Sequence, residues 1–435
     1  MPAHEADHAY APTGTLPRWR WDLFCRVVDN YGDLGVCRRL AQHLATRGQC
    51  VRLWVDDAAL LHRMAPELPA ADAAFWRAGA AGVAWVHWQD EGDQALDPGD
   101  VVVEAFGCDP PASFVARMAH RVSISGNART TSTDAMAATA AAPRAHDIGH
   151  RAPQAPVWLN LEYLSAEDYV ARSHRLPSPQ ASGPGRGLTK WFFYPGFTAD
   201  TGGLLREHDL PERRAAFDRD AWLQGWGLRA TDERRLSLFA YEQAPLEDLL
   251  KSLAEETHPA HWRLMVTQGP MQARAQHWLQ ARPAAAQRIG ITALPWLSSQ
   301  DFDHLLWACD LNFVRGEDSL VRALWAGAPF VWQIYPQHDG AHAAKLQAFW
   351  AWLQASALNP NAEHATGQPA HWARTVHPWW QAWNQLTPWP SGAAWPWQSQ
   401  VPWRQAVSEA RNTLLRRPSL AQALLDFVAQ QRPPG

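Results

Sequence analysis

Two short stretches bring together side chains able to do chemistry. The first is Arg315-Gly316-Glu317-Asp318-Ser319, set between the apolar run 311–314 and a helix-like run from Leu320 to Gly327. A charged turn at the C-terminal end of a strand is where open α/β sheets bind ligands. The unpaired N–H groups that open the next helix favour an anion. Arg315 could grip a diphosphate with its forked guanidinium. The second stretch is Asp29-Asn30-Tyr31-Gly32-Asp33-Leu34-Gly35, between a β-rich run at 20–28 and a helical run at 36–47. Its glycines miss the spacing of a dinucleotide fingerprint, yet they let the backbone pass close to a ligand. Asp29 and Asp33 put two carboxylates in one turn. Both are open to two readings: capping of free helix N–H groups or acid–base work.

The elements that must hold these stretches follow an α/β rhythm. Strands are expected at 50–55, 83–88, 100–106 and 157–164, with helices at 58–64, 70–77 and 113–119. The second half restarts with strands at 236–241, 262–267, 291–294, 311–314 and 329–336. Helices are expected at 245–255 and from Ser299 to Cys309, the latter capped by Ser299 or Asp301. Alternation of this kind predicts two parallel-sheet, Rossmann-like units. Between them, 177–187 is rich in Pro, Ser and Gly and reads as a loop. The aromatic block Lys190 to Phe197 is either an apolar patch at the domain junction or a surface for a planar or sugar ligand.

The expected division is a disordered leader at 1–17, a first domain at 18–185, a second at 186–403, and a helical tail at 404–435 that could pack back on the first. A flexible insert is expected at about 130–156, where Ala and Thr dominate and aromatics are missing. A chain of 435 residues exceeds what one core accommodates, in keeping with two domains. The formal net charge of -4 gives no general case for nucleic acid or membrane as partner. No apolar run approaches the roughly 20 residues of a membrane span, and residues 1–17 lack a signal-peptide core. The five cysteines form no Cys-x-x-Cys pair and read as buried cytosolic thiols. His338-Asp339-Gly340-Ala341-His342 narrowly misses the H-E-x-x-H zinc pattern, and no metal is expected. The 26 tryptophans, densest from Phe349 to Trp403, read chiefly as core, with stacking on sugars the other option.

Four segments resemble the bacterial elongation factor P arginine rhamnosyltransferases. They are Trp21 to Cys37, Asn160 to Glu167, Phe192 to Phe197, and Val314 to Ser319 with its continuation to Gln337. The resemblance covers about residues 20 to 340 and implies an inverting, metal-independent glycosyltransferase of GT-B type, with two Rossmann-like domains facing each other across a cleft. It implies transfer of L-rhamnose from dTDP-β-L-rhamnose to one arginine of translation elongation factor P, in the cytoplasm, in support of translating polyproline stretches. No cofactor, membrane or direct nucleic-acid contact is implied. The donor is expected on the C-terminal domain and the acceptor mainly on the N-terminal one. Asp33 is then the expected base, with Glu317 also catalytic and Asp29 in support. The donor-binding residues implied are Asn30, Tyr31, Gly32, Asp33, Tyr194, Gln300, Arg315, Gly316, Glu317, Asp318 and Ser319. Glu317 could either hold the Arg315 guanidinium or contact the sugar.

Overall fold

The computed structural model describes residues 17–28, 32–71, 75, 81–89, 96–130, 154–229, 233–256, 261–337, 340–357, 371–390, 392–393 and 395–432. Most of the leader and of the insert therefore lies outside the described residues. The β-former runs make two separate sheets. The first holds β1 (Arg20–Cys25), β2 (Cys50–Val55), β3 (Gly82–His87), β4 (Val101–Ala105), β5 (Val157–Leu161), β6 (Pro177–Pro179) and β7 (Thr189–Phe193). Its order is β3-β2-β1-β4-β5-β7-β6, and only the β6–β7 pair is antiparallel. The second holds β8 (Arg234–Leu238), β9 (Trp262–Val266), β10 (Ile289–Ala293), β11 (Leu311–Arg315) and β12 (Phe330–Gln333). All its pairs are parallel, in the order β10-β9-β8-β11-β12. Every residue of β2, β4, β5 and β12 is buried, as helices on both faces of a parallel sheet require.

Strand order reverses direction once in each sheet, between β1 and β4 and between β8 and β11. Loops leaving the C-terminal ends of such neighbours diverge and leave a crevice for a ligand. Asp33 opens the helix that follows β1, and the Arg315 motif ends β11. The topology thus puts each candidate stretch at the switch point of its own sheet.

Several expectations change. The first helix runs Gly32–Thr46 and absorbs Gly32 and Gly35, with the Asp33 carboxylate in its first turn. The expected helix at 70–77 fails at its start, where Pro69 and Ala71 bond the backbone of Trp85; much of the remainder is undescribed. The 177–187 loop contains β6, and the 190–193 block is β7, paired with β5. Residues 189–193, expected in the second domain, therefore belong to the first sheet. The cap of the helix Ser299–Ala308 is Ser298, whose side chain accepts from Asp301 N.

The tail divides between the two domains. Trp403, Val407, Ala410 and Leu414 of the helix Gln400–Leu415 enter the second core. Leu420, Leu424, Leu425, Phe427 and Val428 of the helix Leu420–Gln431 enter the first. Trp350, Trp372, Trp379, Trp380, Trp383 and Trp395 are buried in the second core, where the indoles act as large apolar groups. All five cysteines are buried and free. Among the described residues no helix is long and apolar enough to cross a membrane.

Candidate active site

β11 passes directly into the helix Gly316–Ala326 with no turn between them. Arg315 is the last strand residue and the cap, and Gly316 takes φ +64°, a left-handed conformation open to glycine. Ser319 Oγ accepts from Arg315 N at 2.9 Å and donates to Arg315 O. The Arg315 guanidinium lies 4.5 Å from the ring centres of both Phe239 and Tyr241 and donates to Ala240 O at 3.3 Å. The segment leaving β8 thereby holds it in place. Arg315, Asp318 and Ser319 line a cavity of about 640 Å³, together with Phe239, Gln268, Trp296 and Phe302. Gly32, Gly35, Arg39, Arg63 and Met64 line it from the first domain.

A second cavity, of about 180 Å³, shares Gly32 with the first and is lined by Asp33, Phe106, Tyr163, Gly316, Glu317 and Lys345, among others. Asp33 is only 4% exposed, and its Oδ2 accepts from Val28 N at 2.9 Å. Its carboxylate thus fastens the end of the β1 loop while bordering the cavity. Glu317 Oε2 accepts from Leu164 N at 2.8 Å, and Oε1 accepts from Lys345 Nζ at 2.8 Å. Its carboxylate therefore ties the loop after β5 to the helix Ala341–Ala357; holding the Arg315 guanidinium is not its role in this geometry.

Helix Gly32–Thr46 meets helix Gly316–Ala326 at Gly35, where an added Cβ would lie 3.5 Å from Asp318 Oδ2. One turn on, Arg39 donates to Asp318 at 3.2 Å and to Glu207 at 3.2 Å. Arg322 grips Asp303 with two bonds of 2.7 and 2.5 Å and reaches Glu207 at 2.8 Å. Burial alone would push the Glu207 carboxyl up. The Arg322 and Arg39 guanidiniums overcome that and hold it well below the usual carboxylate range. The two domains are therefore pinned beside the cavities by an ionic cluster whose Arg322 and Asp303 are buried and whose Glu207 and Asp318 are half-buried.

Gly32, Asp33, Arg315, Gly316, Glu317, Asp318 and Ser319 converge on these two cavities. Asp29, Asn30 and Tyr31 lie outside the described residues, as do His338 and Asp339. Gln300 is exposed in the first turn of its helix, where Ser298, Ser299 and Phe302 line the larger cavity instead. Tyr194 lies apart from both linings, its ring edge-on to Tyr169 at 5.9 Å and its N donating to His174 Nδ1 at 3.1 Å. Burial, then Glu162 and Tyr169, push its phenol up to about 12. Sequence reasoning missed Arg39, Phe106, Phe239, Tyr163 and Lys345. Arg39 had a usable signal, lying four residues after Gly35 on the same helix face. Among the described residues no group of three or more His, Cys, Asp or Glu is placed to hold a metal.

Two Rossmann-like domains facing each other across a cleft, with a nucleotide-sized cavity at the second sheet's switch point, define a glycosyltransferase of GT-B type. A sequence model of the elongation-factor P (EF-P) rhamnosyltransferase EarP matches residues 21–429. A protein-arginine rhamnosyltransferase of Pseudomonas putida is 42% identical over 388 residues, covering 86% of this chain and 89% of the relative. One of Pseudomonas aeruginosa is 38% identical over 378 residues, covering 84% and 86%. A solved structure concerning EarP-mediated arginine glycosylation of translation elongation factor EF-P covers 95% of this chain and 99% of its own, with 28% identity and a TM-score of 0.55. The chain belongs to the elongation-factor P rhamnosyltransferase family and is a glycosyltransferase of the protein-arginine rhamnosyltransferase type.

Proposed function

We propose that the enzyme transfers L-rhamnose from dTDP-β-L-rhamnose to one arginine side chain of translation elongation factor P in the cytoplasm, inverting the anomeric carbon. The observation that carries the reading is the meeting of Asp33 and Glu317 at one small cavity, beside a larger one lined by Arg315 and Ser319. In this reading the nucleotide takes the larger cavity and the diphosphate faces Arg315 and the first N–H groups of the Gly316 helix. The sugar then reaches toward the smaller cavity, and the acceptor arrives from the first domain. On family likeness, Asn30 and Tyr31 complete the donor set, with Asp29 supporting Asp33; Tyr194 and Gln300, outside both linings, are left out of it.

The acceptor guanidinium is cationic at neutral pH, so its nucleophilic nitrogen must lose a proton as it reacts. The Asp33 carboxylate orients that group and takes the proton while the N–C1 bond forms and the bond from C1 to the diphosphate oxygen breaks. Such general-base help is typically worth about 10²–10⁴ in rate. Charge on the departing dTDP is met by Arg315 and the helix N-terminus, fixed donors that need no metal.

Intact-mass spectrometry of elongation factor P incubated with enzyme and dTDP-β-L-rhamnose is expected to show one added deoxyhexose. Asp33→Asn is expected to abolish transfer with dTDP binding still measurable by calorimetry. Wild-type transfer by that variant would remove Asp33 as the base, and an unmodified acceptor would overturn the acceptor assignment.

A further inference from the structure

Phe106, the residue that leaves β4, is held at φ +59°. Side chains with a Cβ seldom adopt that left-handed conformation, and such strain concentrates where function over-determines the backbone. Here the determinants are explicit. Phe106 N donates to Leu161 O at 2.7 Å. Gly107 N donates to Asn160 Oδ1 at 3.1 Å, and Asn160 Nδ2 donates to Glu162 at 2.7 Å. The result lays the Phe106 ring against Tyr163, with centres 4.4 Å apart and planes 14° from parallel. Both rings line the cavity that Asp33 and Glu317 share, and Tyr163 is 38% exposed.

That corner already holds a cation. The Lys345 ammonium lies 5.4 Å from the centre of the Tyr163 ring and 2.8 Å from Glu317 Oε1. An aromatic face beside a carboxylate suits a guanidinium better still, because that group is flat, weakly hydrated and stacks on rings.

We propose that the stacked Phe106–Tyr163 pair is the platform on which the acceptor guanidinium lies, with the Lys345 ammonium occupying that place until the acceptor enters. The inference rests on the reading of the Asp33 and Glu317 cavity as the place of transfer. Exchange of one cation for another keeps Glu317 compensated throughout. It also ties selection of arginine over lysine to ring stacking, since an ammonium offers no flat face. The platform leaves β4 beside the first sheet's switch point, on the side from which the acceptor is expected.

With elongation factor P as acceptor and saturating donor, Tyr163→Leu is expected to raise the acceptor KM roughly tenfold. kcat should change much less, and dTDP affinity by calorimetry should stay as in the wild type. Tyr163→Phe, which restores a ring face, is expected to recover most of the lost acceptor affinity. Phe106→Gly provides a second route that relieves the backbone, and it too should raise KM. N-methylguanidinium should compete with the acceptor more strongly than methylammonium does, and Tyr163→Leu should erase the difference. A wild-type acceptor KM in folded Tyr163→Leu and Phe106→Gly would overturn the platform while leaving the reaction site intact. Full transfer by Asp33→Asn would instead strike the underlying reading.

Discussion

A guanidinium packed between two aromatic rings is preorganised for an anion. Arg315 is in that position, 4.5 Å from the centres of both Phe239 and Tyr241. A charged hydrogen bond is worth about 1.5–3 kcal/mol, so Arg315→Ala should weaken dTDP binding by roughly tenfold to a hundredfold. Arg315→Lys should recover little of that, because an ammonium lacks the fork. Calorimetric titration with dTDP checks both, and unchanged affinity in Arg315→Ala would take the residue out of the diphosphate site. The place of Arg315 at the larger cavity was legible because its signal is local: residue type, a strand before it, a helix after it. The role of Glu317 was not legible. Its partners are Leu164, 153 positions away, and Lys345 on a helix whose sequence shows no site pattern.

At the scale of elements, the Arg315 motif works because a strand becomes a helix within one peptide unit. Gly316 at φ +64° makes that possible and aims the helix N-terminus between the two cavities. Placing a Cβ there costs about 1–2 kcal/mol. Gly316→Ala should therefore lower the unfolding free energy by about that much and weaken dTDP binding as the helix start shifts. Thermal denaturation and calorimetry would show both; wild-type values of each would mean that the left-handed glycine is dispensable. The alternation of strands and helices was readable from periodicity, and so were the bounds of β2 and of the helix Ala58–Met64. The membership of β7 was not, since its apolar residues suit either sheet, and only pairing with β5 decides the matter.

At the scale of the whole molecule, the chain crosses back to finish its first domain. Phe427 is 2% exposed and meets Trp191 and Phe193 at ring-centre distances of 5.4 and 5.9 Å. Truncating such a core aromatic typically costs about 3–5 kcal/mol. Phe427→Ala should lose that much stability. The last helix is reached only through the second domain's helix Gln400–Leu415, so the variant should also show an earlier, separate unfolding step of the first domain. Differential scanning calorimetry resolves this; a single transition at the wild-type temperature would show that the returning helix does not couple the domains. The largely buried ionic cluster of Arg39, Glu207, Asp303, Asp318 and Arg322 adds a second tie beside the cavities. By itself the amino-acid sequence determined the two Rossmann-like units and the strand-to-helix junction at the Arg-Gly-Glu-Asp-Ser motif, because periodicity and local residue chemistry act between neighbours in the chain. Only the tertiary structure decided that Asp33 and Glu317 share one cavity, that Phe106 is strained onto Tyr163, and that the tail is split between domains. Each of those depends on packing between residues far apart in sequence, which no local pattern encodes.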